Sequence, residues 1–155
     1  KTAVLALMLA LHKAKHINLF VYGHSANCPG GSNAVQIFRY YNSLEKRTDW
    51  KTIFTAESRY NNADGYAILK MGEIMLKSKS KNKILVVASD GQPHATNYGG
   101  DMATTHVKEA VIQLERAGIF VVQICMNYIE ESSKMFKNYV QYEANSKFIK
   151  NLSSI

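Results

Sequence analysis

Lys83-Ile84-Leu85-Val86-Val87-Ala88-Ser89-Asp90-Gly91-Gln92-Pro93 is the stretch on which the fold turns. Ile84 to Ala88 are uninterrupted apolar residues, bounded by a charge before them and by Gly and Pro after them. Such a run predicts a strand buried on both faces. It stops in Ser89, Asp90 and Gly91; the glycine lets the backbone turn sharply and Pro93 prevents the strand from continuing. In an open parallel sheet, ligands bind beyond the carboxyl ends of the strands, so Asp90 is placed where such folds keep functional groups. An Asp-Gly turn is the plainer reading of the same residues.

Working outward, the chain alternates helical and strand patterns. Ile119 to Met126 is a second continuous apolar strand. Between the two lies a helix from Asp101, a candidate N-cap, to Ala117, with Val107, Ala110, Val111 and Leu114 as its apolar stripe. Gly118 supplies the left-handed residue that ends such a helix. Ile68, Met71 and Met75 mark a helix over Tyr66–Leu76, and Glu130 and Glu131 open a last helix to about Tyr142. Upstream, the patterns predict a helix over Thr2–Lys15, strands over Ile17–Tyr22 and Val35–Tyr41, and a short helix within Leu44–Thr55. Phe148 to Leu152 closes the chain. Strands alternating with helices predict an α/β fold: a Rossmann-like, doubly wound, mainly parallel sheet with helices on both faces. A fold of this type ordinarily opens with a strand, and this chain opens with a helix.

Bulk composition agrees with one domain over residues 1–155. Of the 155 residues 46% are hydrophobic and 20% charged, which is globular rather than disordered. The formal charge of +7 admits a nucleic acid or an acidic protein as partner, or a merely solvated basic surface. The densest basic run, Lys77 to Lys83, joins a helix to a strand and lacks the interleaved aromatics of a single-strand binder. Cys28 and Cys125 form no metal-ligand spacing and read as free thiols of a cytoplasmic protein. Ala3 to Leu11 is apolar but too short to cross a bilayer, so no membrane partner is expected.

A second carboxylate stands at Asp64, in Asn62-Ala63-Asp64-Gly65-Tyr66. It is a natural helix N-cap. It also precedes the helix that leads to the Asp90 strand, and two loops so related can share one carboxyl edge. Two carboxylates with Ser89 nearby suit a hard divalent cation such as Mg²⁺. His94 and His106 flank the loop after Asp90; His94 reads as an exposed loop residue, and Tyr98 as part of the same rim. Cys28 with His24 lacks a third group to orient a nucleophile. The six methionines sit at core-like positions.

These residues carry a resemblance. Asn62 to Ile68, Ile84 to Pro93, Tyr98-Gly99, Ala110-Val111 and Ala117-Gly118-Ile119 follow one another as in a von Willebrand factor A (VWA) domain. Within that family the stretch is most similar to the cobaltochelatase large-subunit and nitric-oxide-reductase activation protein type. The resemblance implies a metal-ion-dependent adhesion site, in which three loops hold Mg²⁺ and a partner's Asp or Glu completes the shell. Asp64 matches the second loop, where this subgroup carries Asp, and Asp90 the third; Ser89, Gly91, His94 and Tyr98 form the rim. It implies a protein-binding module rather than an enzyme, working as an adaptor beside an AAA+ ATPase. The first loop's Asp-x-Ser-x-Ser occurs nowhere in the chain. Together with a start at Lys1, that predicts a domain truncated at its N-terminus, whose exposed strand edges invite a homo-oligomer. Without the resemblance, the same carboxylates also admit a Mg²⁺-dependent hydrolase, though no nucleophile or base is evident, and the charge leaves a nucleic-acid binder open.

Overall fold

The structure, a computed structural model, describes residues 2–27, 35–46, 49–57 and 60–142. The chain divides into two compact units, residues 1–61 and 62–155.

The first unit holds helix α1 (Thr2–Leu11), strands β1 (Phe20–Ser25) and β2 (Gln36–Asn42), and a 3₁₀ turn at Trp50–Thr55. Met8, Val21, Tyr41 and Ile53 form its core, with Val4, Leu5 and Leu19 packed against them. The two strands pair antiparallel, from Phe20↔Asn42 to Ser25↔Gln36, with a bulge between Val21 and Tyr22. The sheet expected from the sequence is mainly parallel; this pair is antiparallel. The connection from Ser25 to Gln36 is short, and parallel neighbours need a long crossover that antiparallel ones do not. The helix expected within Leu44–Thr55 is the 3₁₀ turn alone, capped by Asp49, whose side chain accepts from the Lys51 N–H. Cys28 and the loop around it lie outside the described residues.

The second unit is a parallel α/β array. It runs α2 (Asp64–Leu76), β3 (Lys83–Ser89), α3 (Gly100–Arg116), β4 (Ile119–Cys125), α4 (Ile129–Met135) and β5 (Tyr139–Gln141). The strands lie in the order β3-β4-β5, and both pairings are parallel. Register runs from Lys83↔Ile119 to Ser89↔Cys125 across the first pair. One core joins Ile68 of α2, Val107, Ala110, Val111 and Leu114 of α3, Ile119 and Val121 of β4, and Met135 and Phe136. Leu85 and Val87 of β3 pack against it. Successive crossovers of one hand put their helices on one sheet face, and α3 and α4 do share this cluster. α3 ends as its sequence predicts: Gly118 follows with φ +80°.

Two expectations need correction here. β3 is not buried on both faces: Ile84 is 62% and Val86 39% exposed, while Leu85 and Val87 turn to the core. Among the described residues β3 is an edge strand, and β4, in the centre, is the one buried almost throughout. An apolar run does not reveal which of the two places a strand will take. The last helix is also shorter than its pattern. It stops at Met135, and Tyr139–Gln141 instead adds β5. Phe148 to Leu152 lies outside the described residues.

Candidate functional site

Asp90 follows the last residue of β3. Its Oδ1 accepts the Gln92 N–H at 2.9 Å, the usual way an aspartate closes a turn on its own backbone. Its carbonyl accepts the Tyr128 N–H at 3.0 Å. Gly91 sits at φ +90°, and a Cβ there would lie 2.8 Å from both Ser132 Oγ and the Tyr128 carbonyl. The turn therefore requires glycine twice over, by conformation and by space. Ser89 Oγ accepts from Gln123 Nε2 at 2.8 Å, so the hydroxyl is held by β4.

Asp64 opens α2 rather than capping it; the N-cap position is Ala63. A carboxylate in the first turn is favoured by the helix dipole. The residue is only 3% exposed. Its Oδ1 is buried, and the residue interacts with its surroundings.

Asn62 brings the two carboxylate-bearing loops together. Its N–H donates to the His94 carbonyl and its carbonyl accepts from the His94 N–H, both at 2.9 Å. Its Nδ2 donates to the Gln92 carbonyl at 3.1 Å, and its Oδ1 lies 3.3 Å from the His94 nitrogen. The segment entering α2 is thus clamped to the segment leaving β3, at the carboxyl edge of the sheet. His94 is exposed, as expected, and enters the clamp through its backbone.

Tyr98 is not an open rim residue. It is 7% exposed, closes a tight turn with Ala95, and points its hydroxyl inward. That hydroxyl accepts the Gly65 N–H at 3.2 Å and lies 3.0 Å from His106 Nδ1. Burial pushes the phenol up to about 12, with the neighbouring Asp64 charge acting in the same direction. Tyr66 packs its ring on His106, centroids 4.4 Å apart. A groove of about 460 Å³ beside them is lined by Tyr66, Asp101, Met102, Thr105, His106 and Glu109.

Sequence reasoning singled out Asp64, Asp90, Ser89, Gly91, His94 and Tyr98, all of which belong to this unit. It missed the joining roles of Asn62, Gly65 and His106. Asn62 and Gly65 lay in the quoted motif, where their identity was the available signal. Cys125 is buried and free, its Sγ 4.0 Å from the Asp90 carbonyl. Lys77 to Lys83 runs from the end of α2 into β3, as the sequence predicts.

The donor set fits a hard cation only sparingly. Among the described residues no three His, Cys, Asp or Glu side chains are grouped to share one ion. Two carboxylates remain, that of Asp64 on a residue 3% exposed, and Mg²⁺ usually keeps several waters in its shell. No helix of the described residues is long and apolar enough to cross a membrane.

No family model matches the chain. No solved structure matches it either. Over 96 residues it is 33% identical to the uncharacterized protein YojO of Bacillus subtilis (strain 168). The matched stretch covers 61% of this chain but 15% of YojO, so the chain is similar to a small part of a much longer protein.

Proposed function

We propose that the chain is a VWA-like domain on a Rossmann-like, doubly wound sheet, which binds Mg²⁺ through Asp64 and Asp90 to capture an acidic side chain of a protein partner. The observation that carries this reading is the Asn62 clamp, which joins the Asp64 loop to the Asp90 loop by paired 2.9 Å backbone bonds. The parallel β3-α3-β4-α4-β5 array supports the α/β, parallel-sheet part of it.

Bound there, Mg²⁺ would supply an electrophilic position for a partner carboxylate, with water filling the places that two protein oxygens leave. The chain's own residues do the positioning. Asp64 offers a buried carboxylate oxygen at the start of α2. Asp90 offers the carboxylate oxygen that its turn leaves over, and Gly91 lets the chain bend away behind it. Ser89, its hydroxyl held by Gln123, closes the strand side, and the exposed His94 forms the rim. A role as a cytoplasmic adaptor beside an AAA+ ATPase rests on the VWA resemblance alone.

Calorimetric titration of the chain with Mg²⁺ tests the reading. Heat of binding that is lost in Asp90→Ala and in Asp64→Ala, and a glutamate-bearing peptide retained only with Mg²⁺ present, are the expected results. Heat unchanged by either substitution would overturn it.

A further inference from the structure

We infer that Tyr98, braced by His106, is the positioning residue for Asp64: its buried hydroxyl takes the N–H of Gly65 and so sets the first turn of α2, on which Asp64 is carried. The functional consequence rests on the Mg²⁺ reading; the positioning itself does not.

The first four N–H groups of a helix have no partner within it and ordinarily turn to a capping side chain or to water. Here the N-cap, Ala63, has no side chain that can accept. The N–H of Gly65 is met instead by a phenol brought from the loop before α3, 3.2 Å away. The same oxygen lies 3.0 Å from His106 Nδ1, within hydrogen-bonding distance, the donor being set by the imidazole tautomer. The approach depends on glycine at 65. A Cβ there would stand 2.8 Å from the Tyr98 oxygen and 2.5 Å from His106 Nδ1.

The neighbouring residue is gripped by the same pair. Tyr66 sets its ring 4.4 Å from that of His106 and 5.6 Å from that of Tyr98. Asp64 is therefore held from both sides along the chain. Asn62 is clamped to His94 before it, and Gly65 and Tyr66 are held by Tyr98 and His106 after it. A buried carboxylate so framed keeps one direction. The same phenol, desolvated and near the Asp64 charge, stays protonated and so remains a neutral donor and acceptor.

Tyr98→Phe deletes the hydroxyl and little else. Amide exchange of the full chain followed by NMR should show Gly65 exchanging at least tenfold faster in this variant, with α3 and β4 amides unchanged. Mg²⁺ alone, titrated into the same samples, should bind about tenfold more weakly, the factor expected for one lost hydrogen bond. His106→Asn keeps an acceptor near the position of Nδ1 and should restore most of the Gly65 protection that His106→Ala loses. Gly65 protection that is unaffected by Tyr98→Phe, or equal in His106→Asn and His106→Ala, would overturn the positioning role. Undiminished Mg²⁺ affinity in Tyr98→Phe, alongside loss in Asp90→Ala, would overturn its consequence for the metal. A wild-type chain that binds no Mg²⁺ removes the proposed function, while the exchange measurement still decides for or against Tyr98.

Discussion

Asn62 and His94 exchange both of their backbone hydrogen bonds at 2.9 Å, a two-residue ladder outside any strand. It lies between the loop that opens α2 and the loop that closes β3. The Asn62 side chain extends it to Gln92. Asn62→Ala keeps the backbone pair and deletes the side-chain bonds. A loss of about 1 kcal/mol is expected by urea unfolding; on the proposed function Mg²⁺ binding weakens as well, because the carboxylates' relative placement loosens.

Glycines 65, 91 and 118 separate two kinds of requirement. Gly118 has φ +80° and nothing within 4 Å of a would-be Cβ. Gly118→Ala therefore costs backbone strain alone, about 1 kcal/mol. Gly91 adds a collision with a carbonyl to its positive φ, and Gly91→Ala should cost about 3 kcal/mol. Gly65 has no positive φ but faces Tyr98 and His106, so Gly65→Ala should cost about 2 kcal/mol by overpacking. Equal values for the three in chemical denaturation would contradict this separation.

Alkaline titration reports on Tyr98. Its folded value is raised from 10.0 to about 12, so the folded chain holds this proton more tightly than the unfolded one. The stability this contributes is present below pH 10 and is lost as pH rises through 12. Stability of the wild type should therefore fall more steeply between pH 10 and 12 than that of Tyr98→Phe, by the release of one proton. Parallel slopes for the two proteins would show that the phenol is not desolvated.

The outer face of β3 offers a contrast within one sheet. Ile84, 62% exposed, tolerates a charge: Ile84→Lys should change stability by less than about 0.5 kcal/mol. If the β3 edge joins copies of the chain, the same substitution lowers concentration-dependent association in light scattering. Ile119, on β4 and fully buried, does not tolerate truncation, and Ile119→Ala should cost about 3 kcal/mol.

Much of the second unit was legible in the chain itself. The apolar runs of β3 and β4, the stripe Val107-Ala110-Val111-Leu114 and Gly118 after α3 carry their own local signals, because strand and helix periods and a left-handed cap are properties of neighbouring residues. So was the placing of Asp90 just past a strand. The first unit was less legible. There the antiparallel pairing of β1 with β2 depends on which distant segment each strand meets, and β5 is too short to carry a pattern of its own.

By itself, then, the sequence determined the α/β alternation of the second unit and the two carboxylates bounding its first helix and strand. Tertiary structure alone decided that β3 takes an edge with one face open, since burial depends on neighbours that no local pattern encodes. It also decided that Asp64 is buried in the first turn of α2 instead of capping it. The clamp of Asn62 on His94 and the phenol of Tyr98 on Gly65 belong there too. Each joins residues about thirty positions apart, and only chain packing brings such groups within hydrogen-bonding distance.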